Sequence, residues 1–152
     1  GGIGERIQPL LPAPQVWLVL VQPCEGLSTR EVFSAFDRMD ASSLLHPDNT
    51  AAQDALLRRD LTVLVPAMAN VLQAVSESAR PALAQAVRAL EAAGAVRAMM
   101  TGSGSVVYGV FERCADAVAA QAAMEALSAQ RGWGRVWLAR TLPRGEKSVA
   151  IT

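Results

Sequence analysis

Lysine is almost missing from this chain: of its 14 basic residues, all but Lys147 are arginines. We read this as coding bias, because 14 acidic residues cancel the basic ones and neither sign gathers into a long block. A chain without a one-sign patch has no electrostatic footprint for nucleic acid or for an anionic membrane surface. Histidine and cysteine are equally scarce. His46, Cys24 and Cys114 are the whole supply, and their spacing builds no zinc site, so a metal held by soft ligands is not expected. Two distant cysteines and no secretory pattern lead us to expect a reduced, cytoplasmic protein. Long apolar runs are missing too. The longest, residues 16–21, has the length of a strand, far short of the roughly 20 residues that cross a bilayer.

What the chain does have is apolar bulk, 51% of 152 residues, which is enough for one compact domain with a real core. It opens Gly-Gly-Ile-Gly, without methionine or a recognisable tag, so we expect a piece of a longer polypeptide. Residues 7–11 read as a short extended stretch closed by Pro12 and Pro14, and residues 16–21 as a centrally buried strand ended by Pro23. Ser28 or Thr29 can cap a helix over residues 30–37, with Val32, Phe33 and Phe36 on one face and Glu31 favourably in the first turn. After an irregular stretch, Asp48, Asn49 or Thr50 starts a helix through Arg59, and Asp60 resets the pattern. Leu61, Leu64, Val65, Met68, Leu72 and Val75 have the spacing of one buried helix face, with a kink or late start where Pro66 removes a backbone donor.

The second half is more regular. Pro81 suits the first turn of a helix over residues 81–93, whose face is Leu83, Ala86, Val87, Leu90 and Ala93, and Gly94 stands where a left-handed terminal residue belongs. Strands over residues 95–100 and 106–112 flank a glycine loop as a hairpin. An alanine-rich helix over residues 116–129 puts Ala117, Ala120, Met124 and Leu127 on one side, small enough for close packing on a sheet. Residues 135–142 form the last strand, and Val149 and Ile151 are the last apolar pair of a polar tail. The order is the β-α-β-β-α-β of a ferredoxin-like α+β layer with extra helices after the first strand. Both helical groups then cover one face of an antiparallel sheet, leaving the other partly exposed or meeting another domain. Trp17, Tyr108, Phe111 and Trp137 fall on strands and are expected in the core.

The glycine loop carries the chemistry. In Met99-Met100-Thr101-Gly102-Ser103-Gly104-Ser105-Val106-Val107-Tyr108, Gly102 and Gly104 can take positive φ, so successive backbone N–H groups can turn inward around an oxyanion, with Thr101, Ser103 and Ser105 adding donors. The same tetrapeptide between two strands also serves as a merely permissive connection. Elsewhere little suggests catalysis. His46, beside Pro47, is expected on the surface, Cys114 has no base to activate it, and Asp37 and Asp40 end a helix and solvate a loop.

The methionine-led glycine loop, the Pro81 helix ending at Gly94-Ala95, and Tyr108 and Phe111 together resemble the C-terminal half of the GHMP kinases. Further likeness lies in Gly2-Ile3-Gly4-Glu5, in residues 17–23 ending at Pro23, in Ser28-Thr29 with Val32-Phe33, in Asn70-Val71-Leu72-Gln73, and in residues 136–141. Within the superfamily these point to the branch that phosphorylates 4-diphosphocytidyl-2-C-methyl-D-erythritol. Two positions depart from the pattern: Val71 replaces a usual aspartate, and Cys24 stands where glycine is common. The resemblance implies that residues 1–152 are a GHMP kinase C-terminal domain. It also implies ATP and Mg²⁺ as cofactors and Thr101, Gly102, Ser103, Gly104 and Ser105 as the nucleotide-contacting residues. The family's catalytic aspartate and lysine and its main ATP-cradling loop belong to an N-terminal half, so no catalytic residue or metal ligand is assigned here. The chain alone is expected to be inactive, and it would meet nucleotide and the CDP-linked polyol through that other half. Another GHMP member, a homoserine or mevalonate-pathway kinase, is the first alternative. A non-enzymatic ferredoxin-like module that binds small effectors or pairs through a sheet edge is the second. The kinase reading predicts an uncovered apolar surface, and hence pairing of two copies or weak solubility of the isolated chain.

Overall fold

The computed structural model describes residues 14–39 and 47–142. The extended stretch at 7–11, the Gly2–Glu5 segment, Asp40, His46, Lys147, Val149 and Ile151 lie outside the described residues. Four strands, β1 (Trp17–Val21), β2 (Arg97–Met100), β3 (Val107–Phe111) and β4 (Val136–Arg140), form one sheet in the order β2-β3-β1-β4. Every neighbouring pair is antiparallel, with Val19 between Gly109 and Leu138, and Leu20 between Tyr108 and Trp137. Six helices accompany it: α1 (Thr29–Phe36), α2 (Asn49–Arg58), α3 (Leu61–Ala67), α4 (Gln73–Ala79), α5 (Pro81–Ala92) and α6 (Cys114–Arg131). This is the ferredoxin-like α+β layer expected from the order of elements.

Side chains alternate across a strand, so each strand offers one face to the helices and one away from them. Val19, Val21, Ala98, Met100, Val107 and Phe111 meet Leu83, Ala86 and Leu90 of α5 and Ala117, Ala120 and Met124 of α6 in a single core. Helix α5 lies over β2 and β3, and α6 over β1 and β4. Gly109 lets α5 approach: a Cβ there would stand 3.0 Å from the Ala95 Cβ and 3.3 Å from the Leu90 Cβ. On α6 the small faces of Ala117 and Ala120 do the same work, since both are fully buried.

The helix starts follow their caps. Asp48 accepts from the Thr50 and Ala51 amides, Asp60 from those of Thr62 and Val63, and Ser28 from that of Glu31, filling donors that the first turn leaves unpaired. Several expectations need correction. The apolar face from Leu61 to Val75 is not one helix: α3 ends at Ala67, one residue past Pro66, and α4 begins at Gln73. Among the residues of α3 none is buried, and α2 packs chiefly on α3 rather than joining the layer over the sheet. Phe33 does not share the inner face of α1 with Val32; its side chain is 49% exposed. Trp137 likewise lies on the strand face away from the core and is 38% exposed, whereas Phe111 is buried as expected. With Tyr108 half-buried beside Leu20, this outer face is apolar and incompletely covered.

Gly109→Val forces a branched side chain against α5 and is expected to lower stability by about 2 kcal/mol, read as a fall in the urea midpoint with an unchanged slope.

Candidate functional site

The loop between β2 and β3 is a corner that the hairpin's own hydrogen bonds satisfy only in part, so further partners come from elsewhere. The first link is within the hairpin: the Thr101 amide donates to the Val106 carbonyl at 2.9 Å, and the Gly104 amide to the Thr101 carbonyl at 3.1 Å. Gly102 has φ +55° and Gly104 φ +92°, the left-handed conformations that favour glycine. They differ in surroundings. A Cβ on Gly102 would meet nothing within 4 Å, while one on Gly104 would lie 2.9 Å from the Met100 Sδ and 3.0 Å from the Leu27 Cδ1.

The turn before α4 supplies the second set of links. Asn70 donates through Nδ2 to the Met100 carbonyl at 2.8 Å and to the Gly102 carbonyl at 2.9 Å, while its Oδ1 accepts from the Leu72 amide at 3.0 Å. Gln73 Oε1 accepts from the Met100 amide at 3.0 Å, and the fully buried Ser76 hydroxyl donates to the Ser103 carbonyl at 3.4 Å. Ser105 is buried and its hydroxyl donates to the Cys24 carbonyl at 2.9 Å, so it ties the corner to the loop after β1. Ser103 reaches the first residue of α1, its Oγ 2.9 Å from the Thr29 Oγ1. Among the described residues, the amides of Gly102 and Ser103 have no hydrogen-bond partner. The corner therefore presents two free N–H groups, with the hydroxyls of Thr101 and Ser103 and the start of α1 beside them, and this is donor chemistry suited to an anion.

An open cavity of about 480 Å³ adjoins the corner, lined by Phe33, Asn70, Val71, Thr101, Gly102 and Tyr108 among others. Val71 packs against the core and gives this wall an apolar surface. The sequence marks Asn70 and Gln73 only through the family-like run at residues 70–73 and gives no sign of Ser76, because all three lie along what reads as an apolar helix face. Cys24 also sits near the corner. Burial pushes its thiol up from its ordinary value, against the opposing pull of the Arg80 charge. Asp37 is the C-cap of α1, as expected of a residue that ends a helix. Cys114 opens α6 and is exposed.

Fold and corner together define the C-terminal domain of a GHMP kinase, and the sequence agrees: the family profile described as GHMP kinases C terminal matches residues 52–130. The chain belongs to this family. It is 33% identical over 147 residues to the 4-diphosphocytidyl-2-C-methyl-D-erythritol kinase of Desulfitobacterium hafniense, covering 95% of this chain and 48% of that protein. A crystal structure of 4-(cytidine 5'-diphospho)-2C-methyl-D-erythritol kinase superposes with a TM-score of 0.68 at 30% identity, covering 91% of this chain and 47% of the other. The homoserine kinase of Cytophaga hutchinsonii superposes with a TM-score of 0.66, covering 87% of this chain and 43% of the other, but at 18% identity it shares the fold alone. The chain thus spans about half the length of the relatives it matches. No helix among the described residues is long and apolar enough to cross a membrane.

Two measurements check this geometry. Gly104→Ala carries both backbone strain and a clash, whereas Gly102→Ala carries strain alone, at about 1–2 kcal/mol for the left-handed conformation; the thermal midpoint is expected to fall further for Gly104→Ala. Because the Cys24 thiol is raised, less of it is thiolate at a given pH, and alkylation of Cys24 is expected to lag that of exposed Cys114 at pH 8 and to set in at higher pH.

Proposed function

We propose that this chain, residues 1–152, is the C-terminal domain of an ATP-dependent kinase that phosphorylates 4-diphosphocytidyl-2-C-methyl-D-erythritol in non-mevalonate isoprenoid synthesis. On this reading the acceptor hydroxyl attacks the γ-phosphorus of ATP, the bond to the bridging oxygen breaks and ADP leaves. The hydroxyl proton passes to the aspartate of an N-terminal half that also supplies the lysine and the main phosphate loop. Such transfer depends on positioning and charge stabilisation more than on covalent help from the protein. Thr101, Gly102, Ser103 and Gly104 close over the nucleotide phosphates, with Ser105 holding the corner to residue 24. The observation that carries the reading is the pair of unpartnered amides at Gly102 and Ser103, beside the start of α1.

Mg²⁺ on this reading neutralises charge on the transferring phosphoryl group. The corner's own donors, amides and hydroxyls, suit phosphate oxygens rather than a divalent cation, so the ion is held by the triphosphate and the other half. Phe33 deepens the assignment to a CDP-linked acceptor: its half-exposed ring at the cavity rim offers a face on which a pyrimidine can stack. Nucleotide and acceptor are the partners, nucleic acid and membrane are not, and the compartment is the cytoplasm. A homoserine or mevalonate-pathway substrate is disfavoured by identity with the 4-diphosphocytidyl-2-C-methyl-D-erythritol kinases across 95% of the chain.

The full-length kinase, given ATP and a panel of the CDP-linked polyol, homoserine and mevalonate, is expected to release ADP with the first alone, and this chain by itself with none. Turnover of homoserine or mevalonate instead would replace the substrate assignment. Phe33→Ala is expected to raise the acceptor KM about tenfold, the loss of one stacked base, and to leave the KM for ATP unchanged.

A further inference from the structure

We infer that Asn70 is a positioning residue for the nucleotide phosphate, acting through the Ser103 amide; the inference rests on the kinase reading above. A trans peptide unit points its C=O and N–H in opposite directions. The Asn70 Nδ2 draws two carbonyls, those of Met100 and Gly102, towards itself. The N–H groups of the same two peptide units, on Thr101 and Ser103, must then point away from Asn70. The Thr101 N–H does so into the hairpin, where it meets the Val106 carbonyl. The Ser103 N–H does so into the open corner, where it has no partner among the described residues. One amide side chain therefore sets both the closure of the hairpin and the direction of the donor offered to an anion.

The clamp is itself held. The Asn70 Oδ1 accepts from the Leu72 amide, which fixes which way the NH₂ group faces. Gln73 and Ser76 grip the same strip of backbone from α4, at the Met100 amide and the Ser103 carbonyl. Asn70 differs from both in that its loss frees the peptide unit carrying the outward N–H. No neighbouring polar group on α3 can substitute, because that helix ends in Val65, Pro66 and Ala67.

The test uses the full-length kinase. Asn70→Asp keeps the shape but replaces the double donor by a carboxylate facing two carbonyl oxygens. It is expected to raise the KM for ATP about tenfold or more, the worth of the lost hydrogen bonds, while leaving the KM for the acceptor unchanged. Asn70→Ser retains one short donor and is expected to fall between the two, which also covers the case in which Asn70→Asp does not fold. Titrating the wild type with ATP is expected to shift the Ser103 amide resonance, and this shift is expected to be lost in either variant. A wild type that turns over while both variants keep its KM for ATP overturns the inference and leaves the kinase reading standing. A wild type whose Ser103 amide responds to ATP, but which phosphorylates nothing in the panel, overturns the substrate assignment and leaves the clamp. A Ser103 amide that does not respond to saturating ATP overturns the clamp outright.

Discussion

Backbone groups at a corner between two strands pair with each other only in part, and the way this chain answers that constraint decides the shape of its site. Three side chains from the turn before α4 and from α4 itself, Asn70, Gln73 and Ser76, satisfy the backbone of Met100, Gly102 and Ser103. Left without them, the carbonyls of Met100 and Gly102 would turn to solvent and the glycines would be free to sample many conformations. With them, two carbonyls and an amide of the corner are held to fixed partners on one neighbouring turn and helix. Preorganised donors need no reordering when charge develops near them, which is why such corners suit phosphoryl transfer.

The same economy of side chains governs the layer behind the corner. Helix α4 can reach the loop only because it leads directly into α5, and α5 lies close over the hairpin because Gly109 has no Cβ and Ala86 is small and buried. A larger residue at either place would lift α5 from β3 and would carry α4, with Gln73 and Ser76, away from the carbonyl and amide they hold. Packing in the core and donor geometry at the site are thus joined through the single residue, Arg80, between α4 and α5. The loop after β1 closes the arrangement from the other side, where the Cys24 carbonyl takes the Ser105 hydroxyl.

Much of this was legible in the residues. The strands around Val19, Val107 and Val136 announce themselves by apolar runs between turn residues, and Pro81 with Gly94 brackets α5 closely. Ser28 and Asp48, each among the candidate starts, cap α1 and α2, and Asp60, read only as a reset of the pattern, caps α3. Gly102 and Gly104 read as positive-φ positions and take that conformation. What misled was periodicity without context. The spacing of Leu61, Leu64, Val65, Met68, Leu72 and Val75 fits one helix, but Pro66 removes a donor near its end and Asn70 prefers hydrogen bonds to the distant carbonyls of Met100 and Gly102 over helical geometry. A local pattern cannot show a partner about 30 residues away. Phe33 and Trp137 misled for a related reason: an aromatic residue on an apolar element reads as core, yet each faces away from the core and stays well exposed.

The donors that the corner offers are uncharged amides and hydroxyls. A phosphate site made from ammonium groups is strong but carries its own charge and loses it as the pH rises through the lysine range. Backbone amides and hydroxyls do neither, for they do not titrate between pH 5 and 9. A corner built from the Gly102 and Ser103 amides contributes direction rather than net charge. The proposed kinase reading assigns charge and proton transfer to another half and leaves aim to this corner. It also accounts for the investment of Asn70, Gln73 and Ser76 in a five-residue loop: where the contribution is direction alone, a small error in the angle of one N–H removes most of it.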